Sequence, residues 1–169
     1  MGNAIALAKE AFGKTLEELE RRQQVTDFGK DPVALGRRAA LLIMAESIWG
    51  QHLGALLETE ELKTLLGVKS RQAVSDLVKR GKVLALDAAG NRKLYPAFQF
   101  GPGGRPYPEI AEVLKIFTGA VSSPYTIASW LVSPIPLLGQ ETPAAWMRKS
   151  GDPEPLFEAA RRSASRLAH

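Results

Sequence analysis

Apolar residues recur at helical spacing through most of the chain, and breaks in that rhythm divide it into three regions. In residues 1–57, Asn3–Phe12 and Thr15–Gln24 read as two short helices. The second carries Leu16, Leu19 and Gln23 along one face and Glu17, Glu18, Glu20, Arg21 and Arg22 outside it. Gly29 and Pro32 interrupt the run VTDFGKDPV. Asp31-Pro32 then sets a capping carboxylate before a proline at the first helical position, which predicts a long helix to about His52. Its apolar positions Leu35, Leu42, Ile43, Ile48 and Trp49 cover more than one stripe. That helix is therefore either packed on its own domain or part of a subunit contact, and a homodimer is expected from the second reading.

Residues 58–100 hold a tighter pattern. Thr59 predicts a helix start, and Glu60 and Glu61 fall in the first turn, where the helix dipole favours negative charge. Leu62, Leu65 and Leu66 give this helix an apolar face, and Gly67 closes it in a left-handed conformation. Ser70 predicts the cap of a second helix with Val74, Leu77 and Val78 inward and Gly81 as its stop. Val83–Leu86 and Leu94–Tyr95 predict two strands around the turn Asp87–Arg92, with Gly90-Asn91 at its tip because both residues tolerate positive φ. Phe98 and Phe100 alternate with Gln99 and predict a further stretch of strand. The Gly-Pro-Gly run from Gly101 then makes 97–108 a linker or a loop crossing between domains.

From Tyr107 onward the punctuation is regular. Ser123-Pro124, Thr142-Pro143 and Asp152-Pro153 each place a capping oxygen directly before proline, where the ring costs no hydrogen bond and presets φ. With Pro108 as a fourth start, helices are expected over Pro108–Thr118, Pro124–Val132, Pro143–Lys149 and Pro153–Ala168. Ile110, Val113, Leu114 and Phe117 form one stripe, and Tyr125, Trp130, Leu137, Trp146, Met147, Leu156 and Phe157 are expected to complete a helical bundle.

Composition narrows the chemistry. The chain has 169 residues, enough for one or two small domains, with 45% hydrophobic and 24% charged residues. It contains no cysteine, which excludes disulfides and thiolate metal sites, and its two histidines, His52 and His169, stand too far apart in sequence to suggest zinc. No apolar run of membrane-spanning length and no signal pattern occurs, so a cytoplasmic protein is expected. No paired nucleophile and base occurs, and Gly-Pro-Gly-Gly lacks the Gly-Lys-Ser/Thr ending of a phosphate loop. Neither enzymatic activity nor a cofactor or metal is expected.

Charge is what singles out the middle region. Residues 59–95 hold eight Lys/Arg against four acids, a net of +4, and the whole chain is also +4, so the flanks cancel. The outer face of the second helix carries Ser70, Arg71, Gln72, Ser75, Lys79 and Arg80. These can donate to phosphates, and Arg71 and Gln72 can also meet guanine or adenine edges. The hairpin carries Arg92 and Lys93 to its rim, where they would touch backbone phosphate without sequence preference. A basic patch on one small module is the footprint of a double-stranded DNA reader. The alternative is a two-helix corner with a solvated basic face and rim.

Two resemblances add to this. LKTLLGVKSRQAVSDLVKRGKVLAL resembles the helix-turn-helix of excisionase and MerR-type winged modules, with the recognition helix at Ser70–Arg80. It departs from them at Lys63, where a small residue is usual, and in the turn Gly67-Val68-Lys69, which is one residue longer and bears on the docking angle. SWLVSPIPLLGQETPAAWMRKSGDPEPLFEAARRSASRL resembles the toxin-binding domain of Xre/MbcA/ParS-type antitoxins over about residues 105–169. The shared features are a proline and a leucine before Gly139, Thr142-Pro143, the apolar pair Trp146-Met147, a turn around Gly151 and a final helix rich in Ala and Arg. This resemblance implies a dimeric antitoxin that neutralises a RES-domain toxin, an NAD⁺-destroying enzyme, and represses its own operon. The residues matching the partner-binding end are Arg161, Arg162, Arg166, Leu167 and His169; a plain alternative is that Glu158 and Arg162 form a solvent-facing i,i+4 pair. The fold class expected is mainly α: a helical N-terminal region (1–57), a winged helix-turn-helix with a small β-hairpin (58–100) and a C-terminal helical bundle (105–169). The rival function is a stand-alone winged-helix regulator whose C-terminal bundle serves only dimerisation.

Overall fold

Nothing in the first twenty residues is strong enough to stop a helix. The two short helices expected there are one, α1 (Gly2–Arg21). Gly13 at the expected break costs only about 1 kcal/mol relative to alanine in a helix interior, and the Thr15 hydroxyl donates to the Ala11 carbonyl across it at 2.9 Å. The computed structural model describes residues 2–22 and 31–168. Gln23, Gln24, the break expected at Gly29 and His169 lie outside the described residues, as do the side chains of Leu19, Leu35, Leu42 and Ile43. α2 (Pro32–Leu53) begins as its sequence predicts, with the Asp31 carboxylate accepting from the Ala34 N–H at 2.9 Å.

The chain divides into two compact units, Met1–Met44 and Ala45–His169. It is mainly helical with a small antiparallel sheet. The second unit continues from the end of α2 through β1 (Leu56–Leu57), α3 (Thr59–Leu66) and α4 (Arg71–Lys79). After these come β2 (Leu86–Ala88), β3 (Arg92–Pro96), α5 (Glu109–Phe117), α6 (Pro124–Val132), α7 (Pro143–Arg148) and α8 (Glu154–Leu167). The sheet order is β1-β3-β2, with Leu57 opposite Tyr95 and Leu86 opposite Leu94. The hairpin is tighter than expected: its loop is Ala89–Asn91, with Gly90 at φ 73° and Asn91 at φ 57°. Val83–Ala85 lies before the strand, and the third strand is β1 from the other side of α3, not the stretch around Phe98.

Two apolar cores fill this unit. The smaller holds Leu62 and Val74 of the two short helices with Val83 and Tyr95. The larger holds Leu84, Leu86 and Leu94 together with the inner faces of α5, α6, α7 and α8. Extended backbone sends successive side chains to opposite sides. Val83 and Ala85 therefore face the small core while Leu84 and Leu86 face the large one. The chain between the cores takes its hydrogen bonds from a side chain. Gln99, fully buried, accepts from the Leu84 N–H at 2.7 Å and donates to the Leu84 carbonyl and the Pro96 carbonyl, each at 3.0 Å.

The expected linker at 97–108 is a folded seam. Ala97–Gln99 and Pro102–Gly104 are single 3₁₀ turns; Gly101 N–H donates to Arg105 O at 2.8 Å and Tyr107 N–H to Gln99 O at 2.9 Å. Gly104, at φ +73°, lies so close to α3 that an added Cβ would stand 2.3 Å from the Leu65 carbonyl oxygen. Only glycine permits that approach and that conformation.

In the C-terminal half the helices start beside the expected prolines. However, α5 and α8 begin one residue after Pro108 and Pro153, and the Ser123 side chain makes no capping hydrogen bond at α6. The Thr142 hydroxyl accepts from Ala145 N–H at 3.1 Å and the Asp152 carboxylate from Glu154 N–H at 3.0 Å. The Trp130 indole donates to the Ser163 hydroxyl at 2.9 Å inside the core, and Phe117 meets the Trp130 ring edge-on at 5.1 Å. Leu137, expected in the core, is 44% exposed. It sits on a single 3₁₀ turn, Pro136–Leu138, which points Leu138 inward instead. Leu65 is likewise exposed, leaving Leu62 and the half-buried Leu66 as the inner face of α3. Among the described residues, no helix is long and apolar enough to cross a membrane.

Gln99→Leu keeps an apolar side chain in place but strips both Leu84 main-chain groups of their partner. The expected cost is at least about 2 kcal/mol, since each buried group left unpaired costs about 1–3 kcal/mol. Chemical denaturation measures it, and a loss within error of zero would mean that water replaces the amide.

Candidate nucleic-acid interface

α3 and α4 are joined by a four-residue turn built from local signals. Gly67 takes the left-handed conformation (φ 68°), and Ser70 caps α4 by accepting from Ala73 N–H at 3.1 Å. α3 starts one residue earlier than Thr59 predicts. Its cap residue is Glu58, whose N–H donates to the Glu61 carboxylate at 2.7 Å. Val74 is buried at the α3–α4 contact, so the opposite face of α4 turns outward. Ser70, Arg71, Gln72, Lys79 and Arg80 are exposed there and Ser75 is half-buried.

The side chains at the N-terminal end of α4 and on the hairpin are held by acidic neighbours. Arg71 Nε donates to a Glu60 carboxylate oxygen at 2.7 Å, and Lys63 holds the other oxygen at 2.8 Å. The Gln72 amide donates to Asp76 at 2.8 Å. On the hairpin, Arg92 donates to Glu58 at 3.0 Å and to the Ala89 carbonyl at 3.2 Å, while Lys93 pairs with Asp87 across the strands. The acidic start of α3 thus touches both the first turn of α4, through Glu60, and the hairpin rim, through Glu58.

Lys79 and Arg80 do not join that group. They lie at the far end of α4, about 12 Å from Arg71 at 1.5 Å rise per residue. There they line a cleft of about 540 Å³ with Lys82 and with Lys115 of α5. Lys82 and Lys115 were not among the site residues expected from sequence. Lys82 was signalled by the basic run Lys79-Arg80-Gly81-Lys82, but nothing local connects it with Lys115, which lies on a different helix. The acids at the other end, Glu58 and Glu60, were likewise visible but not assigned to the site.

The residues matched to partner binding lie on α8. Arg161 pairs with Glu154 and with Glu158, and Arg162 with Glu158 at 2.7 Å, the expected i,i+4 pair. Arg166 is exposed with its guanidinium 3.5 Å from the Ser163 hydroxyl, and Leu167 is 48% exposed. Arg161, Arg162 and Arg166 line a groove of about 820 Å³ with Ile135, Pro136 and the exposed Leu137. Among the described residues no cluster of His, Asp and Glu is arranged to hold a metal ion.

Comparison with known proteins adds one likeness of fold. The NMR structure of Rv2175c superposes with a TM-score of 0.55 at 20% identity, covering 65% of this chain and 81% of that one. No family model matches the chain, and no curated protein does.

The Glu60 carboxyl is held below the ordinary carboxylate range, first by its hydrogen bond from Lys63 and then by that from Arg71. Glu158 is lowered in the same way, chiefly by Arg162. A carboxyl depressed on folding supports the fold above its unfolded pKa and loses that support as pH falls through the folded value. Followed by NMR, the Glu60 midpoint is expected to rise in Lys63→Met and, by a smaller step, in Arg71→Met. An unmoved midpoint in both would mean that neither cation holds it in solution.

Proposed function

We propose that this protein is a double-stranded DNA-binding regulator that reads the major groove with α4. The observation that carries the reading is an exposed polar and basic face, Ser70, Arg71, Gln72, Lys79 and Arg80, on a helix whose opposite face is anchored by Val74. Arg71 and Gln72 sit at the N-terminal end of α4, the end that meets base edges in helix-turn-helix readers. Their partners in the free protein, Glu60 and Asp76, are exposed or half-buried, and such surface pairs contribute only about 0–1 kcal/mol. A bidentate contact to a base is worth about 1–3 kcal/mol, enough to exchange one for the other.

The test compares single substitutions on duplexes carrying the operator with others that do not. Arg71→Ala is expected to weaken operator binding by about 1–3 kcal/mol and to blunt discrimination, whereas Arg92→Ala weakens all sequences alike. Glu60→Gln is expected to tighten binding, because it removes a carboxylate beside the groove and releases Arg71. Equal, sequence-independent losses for both arginine variants would remove α4 from the role of reader.

The C-terminal half supports a second part of the proposal, that the regulator is an antitoxin. Its sequence resembles the toxin-binding domain of Xre/MbcA/ParS-type antitoxins. The turns that carry the resemblance have matching local support: Gly139 at φ 66°, the Thr142 cap and the turn before α8. The arginine-lined groove beside α8, with exposed Leu137 and Leu167, is a surface on which a RES-domain toxin could seat. We assign such a protein to the cytoplasm and expect a homodimer, the exposed Leu7, Phe12 and Val33 of the first unit being apolar side chains available for it. Where the adjacent reading frame encodes a RES-domain protein, its co-expression with this chain is expected to yield a complex and to block NAD⁺ depletion. Free toxin and unhindered NAD⁺ loss would leave the stand-alone regulator.

A further inference from the structure

Beyond the reading face, the cations at the far end of α4 face a wall that belongs to neither the helix-turn-helix nor the hairpin. α4 closes with Arg80 N–H on Asp76 O at 3.0 Å, and Gly81, at φ +63°, turns the chain so that Lys82 N–H reaches Leu77 O at 2.9 Å. Lys79, Arg80 and Lys82 emerge together there. Opposite them stand Leu114 and Lys115 of α5 and Thr118 at its end, the other face of α5 being locked by the fully buried Ile110, Val113 and Phe117. The space between is about 540 Å³.

The electrostatic balance of this cleft is positive. Lys79, Arg80 and Lys82 form no ion pair with any described residue, and Lys115 has one exposed contact, to Glu112 at 3.5 Å. Four cations therefore face one carboxylate. The ends of α4 and α5 present carbonyls, worth about half a negative charge each. Several of these carbonyls already accept hydrogen bonds, Leu77 O and Val78 O in α4 and Leu114 O in α5. A surplus of about two positive charges remains. Cations at a helix end suit its dipole and need no ligand, which accounts for Lys79 and Arg80. It does not account for Lys82, beyond the α4 stop, lining the same space as Lys115.

We infer that the cleft between the end of α4 and α5 is a phosphate-binding site, and that it takes a backbone phosphate of the duplex whose groove α4 enters. This rests on the DNA-binding reading of α4 for the source of the phosphate; the anion chemistry of the cleft stands without it. Lysine suits such a contact as a mobile point charge carrying no sequence information. α5 thereby becomes part of the DNA interface, clamping the backbone at the end of α4 remote from Arg71.

The experiment uses the full chain with a mixed-sequence duplex and, separately, inorganic pyrophosphate. Lys82→Gln and Lys115→Gln are each expected to weaken duplex binding about three- to ten-fold, equally for all sequences. Each is also expected to flatten the dependence of log K on log salt by about 1. Glu112→Gln should move affinity the other way, and Arg148→Gln, exposed on α7 outside the cleft, should leave both unchanged. If Arg71→Ala weakens binding while Lys82→Gln and Lys115→Gln do not, the cleft assignment is overturned and the reading face stands. If the protein binds no duplex but pyrophosphate shifts the amide signals of Lys82, Lys115 and Thr118, the DNA reading falls and the site stands with a free phosphate compound as its ligand. Binding of neither overturns both.

Discussion

One amide holds together the part of this molecule that matters most. Gln99 gives Leu84 the donor and the acceptor that a neighbouring strand would supply, at a place where none of the described strands runs. An extended segment lying between two apolar cores cannot take its hydrogen bonds from water, and a buried peptide group left unpaired costs about as much as a lost core methyl group or more. With that cost removed, the alternation of Val83, Leu84, Ala85 and Leu86 can serve both cores at once. The small core of the two short helices is thereby fixed against the large core of the C-terminal helices, with Gly104 against Leu65 as a second point of attachment. The orientation of α4 relative to α5 follows from these two contacts.

That rigidity shapes the electrostatics. The cations on and around α4 fall into two groups separated by the length of the helix. One group, Arg71 and Arg92, is tied to the acidic start of α3 through Glu60 and Glu58. The other, Lys79, Arg80 and Lys82, meets Lys115 and little negative charge. Exposed pairs such as Arg71 with Glu60 are weak in water and weaker in salt. Glu60 therefore orients Arg71 in the free protein while holding it only weakly, which leaves that side chain available to exchange its partner. The α4 cations at the other end have no such partner among the described residues and suit phosphate.

Features set by neighbours in sequence were legible without coordinates. The Gly67 turn, the Ser70 cap, the positive φ at Gly90 and Asn91 and the Thr142-Pro143 helix start all form where residue chemistry within four positions requires them. The mainly helical class and the helix-turn-helix with a hairpin followed from the same signals. What escaped is long-range. A glutamine between two phenylalanines reads as one position of a strand, because nothing in the sequence says that Leu84, fifteen residues earlier, lacks a partner. Gly101-Pro102-Gly103 reads as a loose linker because the need for Gly104 is created by a carbonyl on α3. For the same reason the exposed side of α4 could be assigned from its periodicity, whereas the residue facing its far end, Lys115, could not.

The contribution of α5 follows from how little it can move. A lysine on a mobile loop gives up conformational freedom in meeting a phosphate, which offsets much of the Coulomb gain in water. The backbone carrying Lys115 is already immobilised, because Ile110, Val113 and Phe117 are fully buried on the same nine-residue helix. The backbone carrying Lys82 is pinned by its bond to Leu77 O. Only the side chains remain to be ordered, so a contact here retains more of its electrostatic free energy than the same charge would on a mobile loop. On the reading proposed above, the C-terminal helices would supply a fixed wall against which the end of α4 holds the duplex backbone, apart from any protein partner they engage.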